Sequence, residues 1–323
     1  MKNYILIFAG ILTGLLVQSC DVHQFPDPSL KEVDFTLHMD YSTEMHLYKE
    51  VEYNESTRSA TESYDVRYIV NVYDKNESSR EVLHSFTFTK DEISELDNSV
   101  TFRIRVGEYR FIVWTDYVQE GSSGDLFYTS DRFEHIGFAS EVHIGNEDMR
   151  DAFTGSLTAV VSDETLEATV AMSRPMAKFS FVTNDLQDFI VRAMQIRGVS
   201  DLEGYSLVIK YNGFMPSAYN LHTGRTTDSG SGYSFTSKIT QISETEAELG
   251  FDYVFVNDHE SVVSVYVEVY DSEGNHLSTS APVDVPLMRS KQTTVIGNFL
   301  TSDASGGAFI SPGYDGEHII VIQ

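Results

Sequence analysis

The sequence predicts an all-β fold, two antiparallel β-sandwich domains in tandem. Three observations predict it. Apolar and polar residues alternate with period two along most of the chain, which is the pattern of half-buried strands. Stretches with helical spacing are few and short. The chain has 323 residues, which, less an N-terminal leader, suits two domains of ordinary size.

The leader comes first. Lys2 precedes an apolar run over residues 5–17. That run is short for a helical bilayer crossing, which needs about 20 residues. It fits the apolar region of a secretory signal, with a small residue, Ser19, before the cut. The run closes on Val17-Gln18-Ser19-Cys20, and Cys20 is the only cysteine. The arrangement looks like a bacterial lipoprotein signal, in which the cut precedes the cysteine and its thiol and new amino terminus carry acyl chains. Gln18 is less usual in such a box. The alternatives are a plain secretory signal and an N-terminal anchor helix. On the preferred reading residues 1–19 are a signal peptide, Cys20 is lipidated, and the protein is held at the outer membrane, facing the surface. Residues 20–30 are polar, contain Pro26 and Pro28, and read as a tether. Without a second cysteine no intramolecular disulfide can form.

The first domain is expected over residues 31–173. Val33, Phe35, Leu37, Met39 and Tyr41 alternate with polar residues, and Val66, Tyr68, Val70 and Val72 follow the same rule. Phe86 and Phe88, then Phe102, Ile104 and Val106, mark two more strands. Gly107-Glu108 is a turn signal, and Tyr109 to Trp114 reads as a buried strand. Such β-branched and aromatic runs favour pleated, half-buried surfaces. Lys90 to Leu96 and Asn146 to Phe153 each allow a turn or two of helix. Leu157 to Val161 and Leu166 to Val170 read as a hairpin about Ser162-Asp163-Glu164-Thr165.

The boundary is expected near Ser173-Arg174-Pro175, and the second domain over residues 174–302. Met176 to Val182 opens its strands, which continue at 205–211, 248–256 and 262–270. Leu186, Phe189, Ile190 and Met194 carry a short helical spacing. Asp271 to Asn275 is a turn between 262–270 and 276–285, the clearest hairpin in the chain. Residues 303–307 form a flexible joint, and the tail to residue 323 is a small hairpin or an extended strand. The hairpin is favoured, because Pro312 removes a ladder hydrogen bond.

The chemistry is sparse. The 49 acidic residues outweigh the 22 basic ones for a formal charge of −27, which excludes nucleic acid as an expected partner, since phosphate contacts need basic clusters. No metalloprotease, nucleophile-elbow, phosphate-loop or paired-cysteine motif is present, so the chain is read as non-enzymatic and without cofactors. The ten histidines are scattered. His135 and His143 can share a sheet face and Asp258-His259-Glu260 offers three polar ligands, but solvated strands and turns explain them better. Asp271 to Asn275 resembles half a calcium loop and lacks the terminal glutamate, so a turn explains it better. Phe214 and Tyr219 sit in what reads as a loop, Tyr211 to Asn220, where aromatics can stack on sugars. A loop pinned to its own core is the preferred account.

Three strings resemble a known family. Ser173-Arg174-Pro175-Met176-Ala177-Lys178-Phe179 resembles the R-P-x-A-K motif of the fimbrillin-like lipoproteins of Bacteroidetes. Tyr109 to Tyr117 is similar to their strand ending in an aromatic-x-Asp-Tyr turn, and Val285 to Thr301 to their closing strand, T-T-V-x-G-x-x-L-T. The resemblance covers nearly the whole mature chain and points to fimbrial anchor members and a related lipoprotein family of unknown function. It implies two transthyretin-like sandwiches and fimbrial subunits as partners, joined by β-strand exchange at an open sheet edge. It also draws attention to Arg58-Ser59, where stem subunits are cleaved after an arginine; an ordinary exposed arginine is the preferred account. The tail is a donor strand or a private hairpin. The function expected is thus a fimbrial anchor or accessory subunit; the alternative is a surface module binding a glycan or a protein ligand.

Overall fold

The computed structural model describes residues 31–41, 64–76, 78, 80–89, 92–93, 98–197, 202–301, 308–311 and 317–322. Cys20, the leader, the tether, Arg58, Ser59 and the joint at 303–307 lie outside the described residues, as does most of the helical stretch expected at Lys90 to Leu96.

The first half is built from β1 (Glu32–Tyr41), β2 (Tyr64–Asp74), β3 (Val82–Phe88), β4 (Ser99–Arg105), β5 (Gly107–Gln119), β6 (Tyr128–Thr129), β7 (Ile136–Phe138), β8 (Phe153–Val161) and β9 (Glu167–Met172). A three-stranded sheet in the order β4-β1-β9 faces a four-stranded sheet in the order β3-β2-β5-β8. The alternating residues Phe35, Leu37 and Met39 of β1 meet Val70, Val72, Phe111 and Val113 of the opposite sheet in one core. Phe35 stacks on Phe111 with ring centroids 5.5 Å apart.

The hairpin expected at 157–170 is only half formed. Its turn closes, with Ser162 and Thr165 exchanging backbone hydrogen bonds of 3.2 and 3.3 Å. The strands then part: β8 pairs with β5, while β9 runs parallel to β1 in the facing sheet. Side by side, the two apolar stripes would share one sheet face. Facing each other, they enclose a core from both sides.

The second half comprises β10 (Met176–Thr183), helix α1 (Leu186–Arg197), β11 (Ser206–Tyr211), β12 (Phe214–Asn220), β13 (Arg225–Ser231), β14 (Ser234–Ser237), β15 (Thr240–Gln241), β16 (Ala247–Phe255), β17 (Glu260–Tyr270), β18 (His276–Thr279), β19 (Val283–Met288), β20 (Gln292–Gly297), β21 (Ala308–Ser311) and β22 (Glu317–Ile322). The sheet β15-β16-β10-β20-β22-β21 packs on the sheet β14-β11-β17-β18, with β19 also paired to β17. Phe179, Phe181, Leu207, Ile209, Val265, Val267 and Val295 fill the core between them. Helix α1 lays Leu186 and Phe189 on that core, with Ile190 partly buried against it, as the spacing predicts; Ala193 completes the contact and Met194, expected on the same stripe, is 51% exposed.

The hairpin expected after β17 forms. Its return arm breaks at Ser280-Ala281-Pro282 into β18 and β19, where the Ser280 hydroxyl accepts from the Val267 N–H at 3.0 Å. The stretch expected as a loop, Tyr211 to Asn220, is instead mostly strand β12. The turn is confined to Asn212-Gly213, where Gly213 takes a φ of 115° that only glycine adopts readily. Most pairings are antiparallel, but β1–β9, β10–β20 and β20–β22 are parallel.

A third core joins the halves. The strand 109–114, predicted to be buried, is covered on both faces: Phe111 and Val113 point into the first sandwich, Ile112 and Trp114 away from it. On that outer side lie Tyr128, Phe133 and Ile136 together with Met176, Tyr219, Tyr253 and Phe255 of the second half. A small sheet, β13-β12-β7-β6, crosses the same junction, with Ala218 opposite Gly137 and Tyr219 opposite Ile136.

Candidate functional site

Two places concentrate structure that the cores alone do not require: the junction and the terminal strands. The junction is organised by a 3-10 turn at Asp148–Arg150, whose first N–H groups need a cap. The Glu147 carboxylate supplies it, accepting from the Met149 N–H at 3.1 Å. The turn then presents alternating charges to the second half. Asp148 accepts from the Lys178 ammonium at 2.9 Å. The Arg150 guanidinium donates to Asp252 and to the Ile144 carbonyl. Asp151, fully buried, takes Arg174 through Nε at 2.8 Å and Nη2 at 2.7 Å.

Each charge is matched. Burial acts against the Asp252 carboxylate, but Arg150 and His143 outweigh it and hold its pKa below the usual range. His143 Nε2 lies 2.5 Å from that carboxylate and the Tyr211 hydroxyl donates to it at 2.6 Å. Burial pushes the Asp151 carboxyl up, against the pull of Arg174. The R-P-M-A-K string is therefore a staple. Arg174 lies over the Phe153 ring at 4.5 Å, the Pro175 carbonyl accepts from the Val256 N–H at 3.0 Å, and Lys178 lies over the Phe251 ring at 3.9 Å.

The other two strings also have structural roles. Asp116, expected at a turn, lies within β5 and takes Arg67 through two bonds of 2.9 and 2.6 Å. Arg67 donates onward to Asp125 and the Ser123 carbonyl, pinning the loop after β5. In the closing string, Thr293 donates to the Pro286 carbonyl at 2.6 Å. Thr301 donates to Asp185 through its N–H and hydroxyl, fastening the start of α1 to the end of the fold.

The candidate ligand residues do not share a surface. Phe214 is 74% exposed, whereas Tyr219 is 1% exposed, stacked on Phe255 at 5.7 Å and covered by Arg289. His135 and His143 do not share a face either: His135 is half exposed beside Asp228, and His143 is buried on Asp252. Asp258 and His259 sit in an exposed turn. Among the described residues no group of three His, Cys, Asp or Glu is placed to hold a metal ion. Asp271 closes its turn by accepting from the N–H groups of Glu273 and Asn275, as a hairpin turn should.

At the terminus, β21 and β22 pair antiparallel, with Ile310 opposite Ile320. The hairpin then adds to the second half: β22 runs parallel to β20 with Thr294 opposite Ile319. The tail thus extends its own sheet. The helical turn allowed at Asn146 to Phe153 forms at Asp148–Arg150, but sequence reasoning missed the pairing of its charges across the junction, and it missed Asp252. The signal was there, since Asp252 interrupts the apolar stretch Leu249 to Val256 and an isolated carboxylate in a buried strand needs a cationic partner.

No curated protein sequence matches the chain significantly. Solved structures similar to it include the fimbrial anchor protein Mfa2 from Porphyromonas gingivalis, with 10% identity over 76% of this chain and 82% of that one and a TM-score of 0.40. A fimbrial assembly protein from Parabacteroides distasonis shares 12% identity over 83% and 92% of the two chains, with a TM-score of 0.40. A candidate cell adhesion protein from Bacteroides ovatus shares 14% over 85% and 95%, with a TM-score of 0.46. Residues 28–323 match the model of a family of unknown function, DUF6562, and the chain belongs to that family.

Proposed function

We propose that the protein is an outer-membrane lipoprotein, attached through acyl chains on Cys20, that serves as an anchor or accessory subunit of a fimbria. The observation that carries the assembly role is the terminal pair β21–β22. It follows a closing strand that has already completed the second core, and β20 is its only sheet neighbour besides itself among the described residues. Because the pair lies on its own sheet, strand donation requires it first to leave β20; main-chain hydrogen bonds then supply the affinity of the added strand. The lipid anchor is supported by the sequence, through the position of the single cysteine after the apolar run. Cleavage after Arg58 is not part of this function, since an anchor has no need to release its first strand. The alternative, a surface module for a glycan or a protein ligand, is not better supported: of its two candidate aromatics Phe214 is exposed and Tyr219 is buried.

Two variants test the two parts. Cys20→Ala is expected to lose label from radioactive palmitate and to move to the soluble periplasmic fraction; unchanged membrane retention would refute the anchor. Removal of residues 303–323 is expected to leave a folded, membrane-held protein on cells that lack assembled fimbriae. Normal fimbriae on those cells would refute strand exchange by the tail.

A further inference from the structure

We propose that the two halves form one load-bearing unit, locked by the turn at 147–151, so that a pull between the ends of the chain unfolds both halves in a single event. Tandem domains ordinarily meet over a modest and fairly polar surface, and move relative to each other. Three features of this junction differ. It is a core in its own right, with Trp114, Tyr128 and Phe133 against Met176, Tyr219 and Phe255. A sheet crosses it, since β7 of the first half is hydrogen-bonded to β12 of the second. And the connection carries no slack: three residues separate β9 from β10, and Arg174 among them is tied back to Asp151.

The charge order supplies the lock. The turn offers negative, positive, negative at Asp148, Arg150 and Asp151, and receives Lys178, Asp252 and Arg174. Exposed ion pairs yield easily. These do not, because separating Arg150 from Asp252 or Arg174 from Asp151 leaves a buried charge unpaired. Tension entering the first half is therefore passed to the second instead of being relieved at a hinge.

Trp114, the single tryptophan, is buried at this junction, with its ring 5.6 Å from that of Tyr128, and so reports on it directly. In single-molecule pulling of the full chain through handles at Lys31 and Thr301, which leave the tail outside the load path, one rip releasing both halves is expected; two successive rips would overturn the proposal. Asp151→Asn is expected to split that rip in two. A single rip at unchanged force in the variant would overturn the role of the lock. Should Asp151→Asn fail to fold, Asp148→Asn at the more exposed end of the turn is expected to lower the rip force, and an unchanged force has the same adverse meaning. In urea, Trp114 emission and far-ultraviolet circular dichroism are expected to share one midpoint, and an earlier Trp114 transition would overturn the proposal. None of these outcomes bears on the fimbrial function, which Cys20→Ala and the tail deletion test separately.

Discussion

His222 shows how neighbours set the chemistry of a residue. Its side chain is fully buried in the turn after β12, packed edge-on against Tyr73 at 4.8 Å. Arg80 and Arg110 approach Nδ1 at 3.3 and 3.1 Å, and Glu134 lies 3.4 Å from Nε2. Burial, followed by Arg80, drives the imidazole pKa down to about 4, although Glu134 opposes this. The folded state therefore prefers the neutral ring. Above the unfolded value, near 6.5, this costs nothing. As pH falls from there to about 4, the unfolded chain takes up a proton that the folded chain refuses, and stability is lost. The loss is roughly 3 kcal/mol over that window. His222→Gln, neutral throughout, is expected to show a shallower fall in urea midpoint between those pH values than the parent. An identical fall in the two proteins would show that His222 does not titrate in this way.

Among the elements, β8 and β9 part into facing sheets after their turn yet stay in close contact. Gly155 on β8 lies so near β9 that a Cβ would sit 2.5 Å from the Ala171 carbonyl oxygen and 2.8 Å from Val170 Cγ2. At this point the facing sheets can approach closely because one of them has no side chain. Gly155→Ala is expected to destabilise the protein by about 1–3 kcal/mol through overpacking, read as a lower urea midpoint. An unchanged midpoint would mean that the sheets separate freely at that end. The same element explains the failed hairpin. The turn at Ser162 to Thr165 was legible, but turn residues fix only how the chain reverses, and not which sheet each arm joins.

On the scale of the whole molecule, the charge imbalance matters. A formal charge of −27 repels itself in the compact state, while the paired charges of the junction are buried and little screened. Raising the ionic strength from about 0.01 M to about 0.15 M shortens the screening length from about 30 Å to about 8 Å. The melting temperature is expected to rise over that range in a thermal scan, because surface repulsion weakens more than the buried pairs do. A falling melting temperature would mean that exposed ion pairs such as Lys31–Asp163 and Lys75–Glu108 contribute more than the repulsion costs.

The sequence by itself determined that the chain is all-β. Period-two alternation in β1, β4 and β17 depends only on one face being wet and the other dry, a property local to each strand. It also located the turn at Asp271 and a short helix over 185–194, which the fold extends to Arg197, and favoured a hairpin over an extended strand for the tail, since Pro312 and the glycines around it interrupt any long strand. What only the tertiary structure decided was which strands pair and what the charged strings hold. Asp148, Arg150, Asp151 and Asp252 look like ordinary polar residues until folding brings segments about 100 residues apart into one dry space, where a lone charge is too costly to leave unmatched. Tyr219 likewise read as a loop aromatic, free to stack on a sugar or pinned to the core, because nothing near it in sequence announces Phe255 or Arg289. Burial is a property of the assembled core, and for these residues the covering atoms come from distant parts of the chain.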